Sequence, residues 1–100
     1  MKQINESSNG MRRTHLIITG RVQGVLFRAN TKKHAEKIGV KGWVRNLNDD
    51  KVEAVGEGTK EQIKDFVAYC SKGPEEARVD DIVLEDEEYK GEFKGFVIRY

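Results

Sequence analysis

One hundred residues, 37% hydrophobic and 35% charged, make a single small domain with a densely charged surface and room for one core. The 18 basic and 17 acidic residues leave a formal charge of +1, so no overall field invites nucleic acid or an anionic membrane, and any anion site must be local. The one cysteine, Cys70, excludes an intramolecular disulfide and fits a reducing cytoplasm, and no apolar run approaches the roughly 20 residues of a membrane-spanning helix.

The first stretch, "MKQINESSNG", is polar and aperiodic and lacks the apolar centre of a secretion signal. A flexible tail over residues 1–12 is therefore expected, followed by one domain over 13–100. "THLIIT" (14–19) alternates, with Leu16 and Ile18 on one face of a strand. Phe27, Thr31, Ala35 and Ile38 then recur at helical spacing, and Gly39 is a natural stop. "KGWVRNL" (41–47) and "KVEAVGE" (51–57) flank "NDD", the pattern of a hairpin. Thr59 with Gln62 three residues on is a capping box that opens a second helix, whose stripe is Ile63, Phe66, Val67 and Cys70 and whose end is "KGP" (72–74). "RVDDIVLED" (78–86) and "EFKGFVIRY" (92–100) read as strands, the latter with Phe96, Ile98 and Tyr100 on one face.

Narrow helical stripes and alternating strands in this order predict an α+β fold. The expected form is a ferredoxin-like βαββαβ sandwich, an antiparallel sheet with two helices on one face, plus a short C-terminal strand.

Between the first strand and first helix lies "GRVQGVLFR" (20–28), with Arg28 just inside the end of the helix where the macrodipole is positive. An anion would resolve the conflict. The first N–H groups of a helix lack intrahelical partners, and glycines let a turn curl so that such groups converge. A phosphate held there would also engage the planar fork of Arg28. A tight structural turn with a solvated arginine explains the same residues, and from the turn alone the two readings stand level. Neither standard phosphate motif is present: GxxxxGK[ST] is absent, and "GEGTKE" (56–61) fails GxGxxG because Glu61 stands in place of the last glycine.

A second stretch separates them. Gly20, Val22, Gln23, Gly24, Val25, Phe27 and Arg28, followed after the helix by Gly39, Gly42, Trp43, Val44 and Asn46, closely resemble the two motifs of the acylphosphatase family. The resemblance extends from about residue 14 to the closing "FVIRY". It implies an enzyme that hydrolyses small acyl phosphates at a carboxyl–phosphate anhydride bond, with inorganic phosphate as product and inhibitor. It further implies that N–H groups of Gln23, Gly24, Val25, Leu26, Phe27 and Arg28 cradle the phosphoryl group, that the Arg28 side chain clamps it, and that Asn46 holds the attacking water. Strand alternation is consistent, since Val44 and Asn46 point the same way.

That chemistry needs little machinery. A carboxylate leaving group, its parent acid near pKa ~4, departs without a general acid, and phosphoryl transfer rests on positioning and charge. The expectation is therefore a cytoplasmic monomer without cofactor or metal, binding neither nucleic acid nor membrane. His15 and His34 are expected at the surface, Cys70 in packing, and Trp43 over the open sheet face or the hairpin edge. "NDDK" (48–51) replaces the glycine-containing hairpin turn common in the family, a change that Asn48 and the aspartates tolerate. The alternatives are a non-catalytic ligand-binding domain or a carbamoyl-phosphate-processing domain of the same fold. An RNA-binding module is disfavoured, because "KGFVIRY" (94–100) lacks the aromatic positions of that motif.

Overall fold

The computed structural model describes residues 10–47 and 50–100. In chain order they form β1 (Met11–Arg21), α1 (Phe27–Ile38), β2 (Lys41–Asn46), β3 (Lys51–Thr59), α2 (Lys60–Lys72), β4 (Arg78–Glu87) and β5 (Phe96–Ile98). The tail expected over residues 1–12 ends sooner, because Met11 and Arg12 already pair with Thr59 and Gly58. The rest of that tail, residues 1–9, lies outside the described residues, as do Asn48 and Asp49 of the hairpin tip.

The five strands lie in the order β4-β1-β3-β2-β5. The β1–β3, β1–β4 and β2–β3 pairs are antiparallel, as expected. The last pair departs from that expectation: β5 runs parallel to β2, with Phe96, Val97 and Ile98 opposite Gly42, Trp43 and Val44. The reason is connectivity. The chain leaves β4 at one edge, crosses the end of the sheet and turns back beside β2 at the other edge; because β2 already runs opposite to β4, that reversal leaves β5 parallel to β2.

Alternation divides the strands as the sequence predicts. Leu16, Ile18, Val44, Val52 and Ala54 are fully buried in one core cluster with Phe27 and Ala35 of α1 and Phe66 and Cys70 of α2. Phe66 meets Phe96 of β5 edge to face, centroids 5.7 Å apart. Burial pushes the Cys70 thiol up to about 12, so it is an inert packing group. The α2 capping box is complete: Gln62 N donates to Thr59 Oγ1 (3.1 Å) and Thr59 N to Gln62 Oε1 (2.8 Å).

Trp43 points away from the core, opposite in parity to Val44. It is buried there under the guanidinium groups of Arg99 and Arg45, 4.4 and 5.4 Å from its ring centroid. On this face Arg13 joins the buried Glu57 (3.1 Å) and Glu87 (2.8 Å), and Glu57 also accepts from the N–H groups of Lys90 and Gly91. The β4–β5 segment is thereby fastened across the sheet, and β5 is delivered to the far edge in register.

The histidines take part in surface-side pairs. His34 stacks on Tyr69 (4.4 Å) and contacts Asp65, linking the two helices. His15 Nε2 lies 2.6 Å from Glu53 Oε2, and Arg45 Nε donates to Glu53 Oε1 at 2.6 Å. Burial pushes the Glu53 carboxyl upward, but hydrogen bonds from His15 and Arg45 outweigh it and hold the group below its ordinary 4.5. A carboxyl with a lower pKa folded than unfolded contributes stability above its unfolded value and loses it as pH falls through the folded value. Glu53→Gln is therefore expected to lower Tm at neutral pH. Its difference from the parent should close as both are melted at pH values falling through and below the ordinary carboxylate range. A Tm difference that stays constant with pH would mean that the Glu53 ion pairs contribute nothing.

Candidate active site

The residues singled out in the sequence gather at one end of the sheet. That end holds the last residues of β1, the first of α1, the end of β2, the start of β3 and the chain beyond β5. Two glycines shape the path from the end of β1 into the turn, and they serve different ends. Gly20 follows a bulge in the β1–β4 pairing, where a Cβ would lie 2.1 Å from the Arg78 carbonyl oxygen, so it admits the neighbouring strand. Gly24, with φ +74°, supplies the curvature of the turn itself.

The turn ends in Leu26, which caps α1 in the left-handed conformation (φ 59°, ψ 27°) and offers no side-chain hydrogen bond. It is the one non-glycine residue with positive φ among the described residues. For a leucine this well costs on the order of 1–2 kcal/mol. The first helical bond runs from Asn30 N to Leu26 O (3.0 Å). The N–H groups of Phe27, Arg28 and Ala29 precede it and so lack intrahelical partners.

These groups border a concavity of about 260 Å³, lined by Gln23, Gly24, Leu26, Phe27 and Arg28 of the turn and by Ile98 and Tyr100 of the C-terminal segment. Val25, expected in the same cradle, sends its side chain into the core and does not line the concavity. Arg28 is half-buried and makes no ion pair among the described residues. Its guanidinium instead faces the Tyr100 ring, 5.2 Å from the centroid.

Tyr100 corrects the sequence reading. Alternation puts it on the core face with Phe96 and Ile98, but the strand ends at Ile98 and the Tyr100 side chain is fully exposed. Alternation holds only while the backbone stays in the ladder. The last bond that guides the chain is Arg99 N to Val44 O, 2.9 Å.

Asn46 closes β2 opposite Val52 and is half-buried. Its Oδ1 is buried and has no hydrogen-bond partner among the described residues. Arg12 Nε and the Thr14 and Thr31 hydroxyls share that condition, but the threonines lie in the core and Arg12 at the opposite end of β1, whereas Asn46 lies at the strand end beside the turn. Asn46 is not among the residues that line the concavity.

Turn and hairpin are tied together by a side chain that motif reading assigned only a backbone role. Gln23 Nε2 donates to Lys51 O (2.8 Å), and the same carbonyl accepts from Leu47 N (3.0 Å), the residue after Asn46. An amide among apolar neighbours was the available signal. Among the described residues, no cluster of three or more His, Cys, Asp or Glu side chains is placed to hold a metal ion.

Comparison with known proteins is consistent across sequence and structure. The sequence model described as Acylphosphatase matches residues 14–98. An acylphosphatase of Rubrobacter xylanophilus is 44% identical over 98% of this chain and 89% of its own length. The solved structure of an acylphosphatase from Coxiella burnetii superposes with a TM-score of 0.86 at 30% identity, covering 99% of this chain and 100% of that one. Full-length HypF, in a phosphate- and nucleotide-bound crystal structure, matches 90% of this chain at 31% identity with a TM-score of 0.80, but the match spans 12% of HypF.

Proposed function

The chain belongs to the acylphosphatase family, whose reaction is hydrolysis of an acyl phosphate to a carboxylate and inorganic phosphate, and from that premise we propose how its residues divide the work. The turn from Gln23 to Arg28 binds the phosphoryl group. The observation that carries this reading is an α1 N-terminus with no side-chain cap, three N–H groups without helical partners, and Arg28 beside them with no carboxylate partner among the described residues. A dianionic phosphoryl group accepts from those N–H groups, gains from the helix dipole, and takes the Arg28 fork on two oxygens. The guanidinium that faces Tyr100 in the free protein then has an anion to engage.

Asn46 orients the nucleophile. A water molecule held by the Asn46 side-chain amide at the mouth of the turn has its lone pair fixed in direction, and it attacks phosphorus from the side opposite the leaving carboxylate. As the P–O bond to the acyl group breaks, its electron pair departs as a carboxylate that needs no protonation at neutral pH. The attacking water gives its proton to a phosphate oxygen, so no side-chain base is required. Charge accumulating on the equatorial oxygens is met by the N–H groups and Arg28, the preorganised stabilisation on which loose phosphoryl transfer depends.

The non-catalytic and carbamoyl-phosphate-processing alternatives are not favoured, because relatives of matching length carry the name acylphosphatase. We extend the proposal to a cytoplasmic monomer. In support, the buried Cys70 is free, which fits a reducing compartment.

The test is turnover of benzoyl phosphate with and without a chelator. Release of benzoate and phosphate is expected at the same rate in EDTA, with inorganic phosphate as a competitive inhibitor that also raises Tm, because it binds the native state alone. Activity abolished by chelation would overturn the metal-free scheme, and phosphate without effect on rate or Tm would overturn the assignment of the turn.

A further inference from the structure

We propose that Asn30 is a positioning residue that holds the anion cradle in its binding shape by fixing the carbonyl of Leu26. This rests on the reading of the turn as the phosphoryl site. Leu26 occupies the left-handed well at φ 59°, ψ 27°, and its side chain is 72% exposed, so core packing does not hold it there. What does reach it is Asn30. The Leu26 carbonyl accepts twice from this one residue, from its backbone N at 3.0 Å and from its side-chain Nδ2 at 2.9 Å. The backbone bond would form with almost any residue at position 30. The second bond depends on a side chain that can donate one turn back.

The carbonyl direction of Leu26 is set by its ψ, and the same torsion sets where the next N–H, that of Phe27, points. A left-handed residue in such a turn is what brings successive N–H groups to face one anion. Were Leu26 to relax into the right-handed or extended region that leucine prefers, its carbonyl would swing away from Asn30. The N–H groups of Phe27 and Arg28 would then leave their common direction. Asn30 Nδ2 opposes that relaxation without touching the substrate.

Three variants and two readouts test this. Asn30→Ala should weaken inhibition by inorganic phosphate by about three- to tenfold, the net worth of one hydrogen bond. Backbone couplings and chemical shifts of the free variant should show Leu26 leaving positive φ. Asn30→Ser should retain most of the affinity, because a helical serine hydroxyl also donates to the carbonyl four residues back. In a Leu26→Gly background, Asn30→Ala should cost less than about twofold, since glycine occupies the left-handed well without penalty.

Positive φ retained at Leu26 in Asn30→Ala would overturn the proposal, whatever phosphate does. So would an equal loss in the wild-type and Leu26→Gly backgrounds, which would mean that residue 30 acts on the anion by another route. A φ that moves while phosphate binding stays unchanged would instead overturn the reading of the turn as the phosphoryl site.

Discussion

Arg28→Ala is expected to lose at least about a thousandfold in kcat/KM toward benzoyl phosphate, the scale seen when an arginine that neutralises a transferring phosphoryl group is removed. Inhibition by inorganic phosphate should disappear with it, because the same guanidinium meets the ground-state anion. Stability should hardly change. The side chain is half-buried, its aromatic contact among the described residues is with the exposed Tyr100, and such a contact is worth ~0.5–1 kcal/mol at the surface. Removing a cation from the positive end of α1 offsets part of that loss. Arg28→Lys should recover little, since a point charge cannot span two phosphate oxygens. The measurement is kcat/KM, the phosphate inhibition constant and Tm on the same preparations. Wild-type turnover in the alanine variant would remove Arg28 from the mechanism, and a collapse of Tm would make it a structural residue.

Asn46→Ala should separate catalysis from binding. A fall in kcat of about a hundred- to a thousandfold is expected, the usual cost of deleting one group that acts in the transition state. Phosphate should inhibit nearly as before, because the turn that holds it is fixed by the Gln23 bond to Lys51 O and by the α1 N-terminus, in neither of which the Asn46 side-chain oxygen takes part. The variant also deletes a buried acceptor that has no partner among the described residues, so it should not be less stable for want of a hydrogen bond. Asn46→Asp keeps the shape but places a carboxylate near the phosphoryl group, and should therefore lose both kcat and phosphate affinity. If Asn46→Ala weakens phosphate binding as much as it lowers kcat, Asn46 belongs to the binding site and another group must orient the water.

The α+β architecture was legible because it is written in periodicity. Leu16 and Ile18, the α2 stripe with its Thr59–Gln62 cap, and the Val44–Asn46 alternation each needed only a repeat of two or of 3.6 residues. Features set by a single backbone torsion were not. Nothing about leucine marks position 26 as left-handed, since that residue type disfavours the conformation. Tyr100 is misplaced by the opposite error, because the period of two does not extend past Ile98, where the ladder ends. Nor does residue order specify that β5 runs parallel to β2. That follows from the segment before β5 being carried across the end of the sheet, where Glu57 holds both Arg13, 44 positions away, and the N–H groups of Lys90 and Gly91. The side-chain bonds of Gln23 and Asn30 to backbone carbonyls left only the faint trace of an amide in an apolar or helical setting.

The strand order has a consequence for how the chain folds. β1 sits between β3 and β4, and its register with β4 joins Arg13 to Glu87. Assembly thus waits on closures spanning most of the chain, the kind of contact order that slows folding relative to a helical bundle. While it waits, unpaired strands are exposed to other copies. The two edges of the finished sheet are poor templates for such pairing. β5 offers only three residues, and β4 carries Asp80, Asp81, Glu85, Asp86 and Glu87, so a second β4 laid beside it would bring like charges together. The acidic edge is a guard against aggregation during a slow search.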